Sequence, residues 1–126
     1  MEYNFDNERP IYIQLVDIIR TDIVSGKLKK GERMPSVREL ALNMKVNPNT
    51  MQKALTELED EKLIYTERTN GKYVTEDEKL IEKVRINLAK EKVNNYLKSM
   101  NSIGINLEES IEYLKELGGK NGISWV

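Results

Sequence analysis

Apolar residues recur at helical spacing from Ile11 to Val24. Ile11, Leu15 and Ile18 fall on one line, and Tyr12, Val16, Ile19 and Ile23 on the next. So wide a stripe predicts a first helix with much of its surface buried. Pro10 opens it, where a missing N–H costs nothing, and Gly26 stops it. A basic turn follows, Lys27, Lys29, Lys30 and Gly31. Ser36-Val37-Arg38-Glu39 has the form of a capping box: the serine accepts from the backbone N–H three residues on, and the glutamate reaches back. It predicts a short second helix over Val37 to Met44. Asn47-Pro48, a capping residue and then proline at the first position, starts a third helix. That helix carries Met51, Ala54, Leu55 and Leu58 and is expected to end near Lys62.

The period then changes. Leu63 to Glu67 and Tyr73 to Thr75 are β-prone, and Thr69-Asn70-Gly71-Lys72 between them predicts a hairpin. Thr75-Glu76-Asp77-Glu78 repeats the capping-box form ahead of a long helix with Leu80, Ile81, Val84, Leu88, Val93, Tyr96, Leu97 and Met100. After a turn at Ser102 to Asn106, Asn106-Leu107-Glu108-Glu109 caps a last helix that carries Leu107, Ile111, Leu114 and Leu117, with Gly118-Gly119 as its expected end. The tail from Asn121 to Val126 reads as loose and leaves Trp125 without a role. The fold class is therefore mainly α with a small β-hairpin. Residues 1–75 form a winged helix-turn-helix, and residues 76–126 form a two-helix appendage.

Composition narrows the chemistry. The chain has 126 residues, with neither cysteine nor histidine. That excludes a disulfide framework, a zinc finger, a thiol nucleophile and an imidazole base. A metal would need carboxylate oxygens alone, which suits Ca or Mg. There is no glycine-rich phosphate loop and no nucleophile elbow, so no enzyme and no cofactor is expected. No apolar run reaches membrane-spanning length. The opening Met1 to Asp6 is acidic and polar, unlike a signal peptide, so a cytoplasmic protein without membrane contact is expected.

Net charge is −1, but its distribution is uneven. From Arg20 to Lys53 there are eight basic and three acidic residues, a local net charge of +5. Such a patch attracts phosphate whatever the base sequence. Glu57, Glu59, Asp60 and Glu61 cluster at the far end of the third helix, which should face away from a duplex. In a winged helix-turn-helix the third helix enters the major groove with its N-terminal residues at base edges. Here those residues are Asn47, Pro48, Asn49, Thr50, Met51, Gln52 and Lys53. Asn and Gln can pair bidentately with adenine, and Thr can hydrogen-bond or touch a thymine methyl.

Pro10-Ile11-Tyr12-x-Gln14, then Gly26-Lys27-Leu28-x-x-Gly31-Glu32-Arg33-Met34-Pro35-Ser36-Val37-Arg38-Glu39-Leu40-Ala41, resembles the DNA-binding domain of GntR-type bacterial regulators. Val46-Asn47-x-Asn49-Thr50-x-x-x-Ala54-Leu55-x-x-Leu58 continues the resemblance. Met34 stands where leucine is usual, a volume-conserving change. The wing lacks a second glycine that the family often has. The short helical C-terminus resembles the YtrA-like subfamily.

The resemblance implies a homodimer joined through the C-terminal helices, binding a palindromic double-stranded operator. It also implies a transcriptional repressor, often encoded beside an ABC-type transporter. By the same resemblance Arg38 reaches a base edge, and Asn47, Asn49, Thr50 and Gln52 lie at the groove. Ser36, Lys53 and Tyr12 hold the DNA backbone, and Gly71 and Lys72 bring the wing tip to the minor groove. Pro48 departs from relatives with arginine there, so one base contact is missing. A small-molecule effector, unidentified by the sequence, would need a pocket between helices or at the dimer interface.

Plainer readings compete. Arg38 could be a solvated side chain paired with Glu39. Asn47-Pro48 is first of all a cap, and Asn49, Thr50 and Gln52 could be ordinary surface residues. Asn70-Gly71 needs nothing beyond a turn, and Lys27, Lys29 and Lys30 could be a solvated turn, although one or two phosphate contacts are expected from them. Glu76-Asp77-Glu78 and Glu108-Glu109 balance helix N-terminal charge rather than hold a metal. Two amphipathic helices cannot enclose a core alone and must pack on the winged domain or on a second copy; a twofold dimer is the common solution, so Leu88, Tyr96, Met100, Ile111 and Leu114, with Tyr113, are expected in a dimer core rather than a ligand cage. The alternative function is a winged helix used for protein interaction, without specific DNA binding.

Overall fold

The structure, a computed structural model, describes residues 5–120. Residues 1–4 and 121–126, Trp125 included, lie outside the described residues, so the readings of the opening segment and the tail find no counterpart here. The order is α1 (Ile11–Val24), α2 (Val37–Met44), α3 (Pro48–Asp60), β1 (Ile64–Glu67), β2 (Gly71–Val74), α4 (Glu78–Ser102) and α5 (Leu107–Lys120). The expected class, mainly helical with one hairpin, is the one observed. The described chain divides into two compact units, which meet along the sequence between Arg85 and Ile86.

In the first unit α1, α2 and α3 enclose a core of Leu15, Ile19, Ile23, Leu40, Ala41, Met51, Leu55 and Leu58 with Leu63, Ile64 and Val74 of the hairpin. The buried stripe of α1 is narrower than its apolar pattern suggested: Ile11 is exposed, and Tyr12 and Ile18 are half-buried. Pro10 is the residue before the helix rather than its first member. Gln14 is buried among apolar neighbours, which would be costly if its amide were unpaired. Its Nε2 donates to the carbonyls of Arg9 (2.8 Å) and Asp6 (3.0 Å), and its Oε1 accepts from the Asp6 N–H (2.9 Å). The amide so ties the N-terminal segment onto α1.

The capping box of α2 is present in both directions, Glu39 N–H to Ser36 Oγ (3.1 Å) and Ser36 N–H to Glu39 Oε1 (3.4 Å). Lys45, in the left-handed region at φ 56°, closes α2 and begins the short turn to α3. Asn47 Oδ1 caps α3 by accepting from the Asn49 N–H at 2.7 Å. α3 stops at Asp60, because Lys62 at φ 65° already turns the chain toward the strands.

β1 and β2 pair antiparallel, with Glu67 opposite Gly71 and Ile64 opposite Val74. The connection is a turn over Glu67–Asn70, its Asn70 N–H reaching the Glu67 carbonyl at 3.4 Å. Gly71 follows at φ +98°, a conformation that glycine adopts without a Cβ penalty. A third segment edges β2: Met34 N–H donates to the Lys72 carbonyl (2.8 Å), Val74 N–H to the Glu32 carbonyl (2.9 Å), and Arg33 stands opposite Tyr73.

Two helix ends differ from expectation. Thr75 does not cap α4; Asp77 does, its Oδ1 accepting from the Leu80 N–H at 3.1 Å. Thr75 is still bonded to the hairpin, its N–H on the Leu63 carbonyl at 2.9 Å, so the helix starts later. Gly118 and Gly119 do not end α5, which runs through both to Lys120. Neither adopts the positive φ that makes glycine a helix stop.

The first turns of α4 belong to the winged unit, where Leu80, Ile81 and Val84 pack against its core. In the second unit the Tyr96 hydroxyl donates to the Ser110 carbonyl at 2.9 Å, and Ser110 Oγ donates to the Asn106 carbonyl at 2.8 Å. Asn106 caps α5 as expected, through the Glu109 N–H (3.0 Å). α4 contributes no fully buried residue. No helix among the described residues is long and apolar enough to cross a membrane.

Candidate nucleic-acid interface

α3 is two-sided by construction. Met51, Ala54, Leu55 and Leu58 are completely buried, and this fixes which face looks outward. On the outward side of its first turns Asn47, Asn49, Gln52 and Lys53 are exposed, and Thr50 is half-buried. Pro48 is exposed between the two asparagines. The Asn47 carbonyl-type oxygen is used by the cap, leaving its amide N–H groups for a ligand. Gln52 Nε2 leans along the helix to Thr56 Oγ1 (3.3 Å), a long, exposed bond that costs little to exchange for a base. Unpaired backbone N–H groups at this helix end add attraction for phosphate.

Arg38 sits in the first turn of α2, exposed, and has no hydrogen-bond or ion-pair partner among the described residues. The competing pairing with Glu39 is not formed, because Glu39 is turned back into the capping box. Ser36 Oγ accepts within that box and keeps its own proton free to donate. Lys53 and Tyr12 come together: the ammonium lies 3.9 Å from the ring centroid. The contact holds Lys53 at the junction of α1 and α3, where Tyr12 is half-buried.

In the wing, one side chain is engaged within the fold. Lys72 is on the inner face of the hairpin, 15% exposed, and its ammonium pairs with Glu59 at the end of α3 and donates to Thr66 Oγ1 (2.9 Å). Burial pushes the Glu59 carboxyl up, and the bonds from Lys72 and Thr66 more than reverse this, so it lies below the ordinary range. A carboxylate depressed in the folded state contributes stability that is complete above its unfolded value, about 4.3, and is lost as pH falls through the lower folded value. Glu59→Gln is therefore expected to flatten the acid limb of stability. Urea midpoints measured across the acid range would check it, and parallel limbs for variant and wild type would contradict it.

Glu59 and Glu61, two of the four acidic residues at the end of α3, are thus committed to the fold. Glu61 takes a bidentate Arg20, the shortest contact 2.7 Å, and Arg20 also reaches Asp17 at 3.0 Å. Lys30, among the lysines considered for phosphate, pairs with Glu78 at the start of α4.

One further cation stands at the wing. Arg33 is exposed and has no acidic partner among the described residues. Its guanidinium lies 3.6 Å from where a Cβ on Gly71 would stand, so it flanks the wing tip. In the sequence it is one charge in a basic run. Only its pairing with Tyr73, forty residues away, brings it to the wing.

Residues 11–74 match the gntR family of bacterial regulatory proteins. The chain belongs to the GntR family. The Bacillus subtilis HTH-type transcriptional repressor YtrA is 37% identical over 118 residues, covering 88% of this chain and 90% of that protein. A GntR-family transcriptional regulator from Listeria monocytogenes has the same fold at a TM-score of 0.84 and 45% identity, over 89% of this chain and 98% of the other. A DNA-binding domain of AraR solved in complex with its operator ORX1 matches at a TM-score of 0.52 and 25% identity, over 60% of this chain and 92% of that one. GntR proteins are transcriptional regulators rather than enzymes.

Proposed function

We propose that this GntR-family protein is a cytoplasmic repressor that binds a palindromic operator as a homodimer. The observation that carries the reading is the outward face of the helix-turn-helix: an unpartnered Arg38 with the exposed Asn47, Asn49, Gln52 and Lys53 and the half-buried Thr50. The repressor YtrA, alike over nearly the full chain, supports the direction of regulation. The C-terminal unit supplies the dimer, since Ile111 and Leu114 are 41% and 44% exposed on a face that one copy leaves uncovered. Twofold symmetry then sets two half-sites about one helical turn, or a multiple of it, apart. Genes adjacent to its own, a transporter operon by family resemblance, are the first targets to examine. An effector would find room in an open cleft of about 600 Å³ in the first unit, lined by Val24, Gly26, Lys30, Ile81 and Arg85 among others.

The test is fluorescence anisotropy with a duplex from upstream of its own gene, an unrelated duplex and two salt concentrations. Tight, salt-sensitive binding with a strong preference for the upstream duplex is expected. Equal, weak binding to both would favour the protein-interaction alternative. Arg38→Ala should cost about 1–3 kcal/mol and relax preference at one base position in each half-site. Wild-type affinity and preference in that variant would remove Arg38 from the interface.

A further inference from the structure

The geometry points to Arg33, reaching the wing tip from the loop before α2, as the wing's phosphate contact in place of Lys72. The inference rests on the DNA-binding reading above and assigns the charge through which the wing acts. Lys72 is spoken for: it faces inward, is largely covered, and neutralises Glu59. Moving it to a phosphate would leave that carboxylate without its cation, 31% exposed beside the hairpin. Arg33 carries no such cost. It is exposed, it has no carboxylate partner among the described residues, and its guanidinium already lies beside Gly71.

The register explains the difference. Arg33 stands opposite Tyr73, and Tyr73 and Gly71 share one face of β2, whereas Lys72 shares the other with Val74. The hydrogen bonds Met34 N–H to Lys72 carbonyl and Val74 N–H to Glu32 carbonyl hold the Arg33 backbone to the hairpin. The side chain therefore travels with the wing and does not wander with a free loop. Gly71, without a side chain, leaves the guanidinium open to the tip. Glu67 stands opposite Gly71 in the hairpin, and Arg33 forms no ion pair with it. A planar guanidinium offers a phosphate two parallel N–H donors, which suits this position better than a point charge.

The experiment is the salt dependence of binding of the full chain to the upstream and unrelated duplexes, for wild type, Arg33→Gln and Arg33→Lys. Each lost phosphate contact lowers the logarithmic salt slope by about 0.9. Arg33→Gln is expected to lose that much per protomer on both duplexes, and Arg33→Lys to keep it. Thermal melts matching wild type would show that the variants fold, as an exposed side chain predicts. A wild-type slope in Arg33→Gln, or a loss confined to the upstream duplex, would overturn the inference while leaving the regulator reading intact. A wild type without salt-dependent binding would overturn both.

Discussion

Leu55→Ala is expected to destabilise the winged unit by about 2–5 kcal/mol, a loss that many small domains cannot survive at physiological temperature. Leu55 has no exposed surface, and it sits on α3 between the helices that orient the recognition face. The cavity would form in the core that α3 shares with α1, α2 and the hairpin. A shift of about 4–8 °C in melting temperature for each kcal/mol makes the effect easy to read in a thermal melt followed by circular dichroism. Leu42→Ala is the matched comparison. Leu42 is 72% exposed, so its removal should stay within about 0.5 kcal/mol. Equal melting shifts for the two variants would mean that the core is not organised as described.

That contrast also shows what the sequence makes legible. Helical spacing identified Met51, Ala54, Leu55 and Leu58 as one buried face, and the opposite face followed. The caps Ser36, Asn47 and Asn106 were readable because a cap is decided within four residues. Ile11, apolar but exposed, was not separable from the core by pattern alone, because the helix contacts that decide burial are distant in sequence. The same limit governed the wing. Asn70-Gly71 announced a hairpin, yet which cation serves its tip depends on Glu59 claiming Lys72 and on Arg33 pairing across to Tyr73. Both contacts join segments that local propensity treats separately. Thr75 failed as a cap for a related reason: its backbone was already held by Leu63.

Replacing Ile111 and Leu114 together with glutamate is expected to convert the protein to a monomer and weaken operator binding by about 10²–10⁴-fold, the advantage conferred by joining two half-site contacts. Leu107, Ile111 and Leu114 recur at the spacing of a packed helical seam, and all three are exposed on α5. Leucine-sized side chains gain about 1.5–3 kcal/mol each on full burial, so leaving this row in water is a standing driving force for association. Two carboxylates placed in the seam of each copy would meet their own images across a twofold axis, where desolvation and like charge both oppose contact. The winged unit carries its own core, so its melting should be little changed and the loss of affinity would not be a folding defect. Sedimentation at micromolar concentration decides the matter. A monomeric wild type would remove the dimer from the mechanism, and a dimeric double variant would move the interface away from α5.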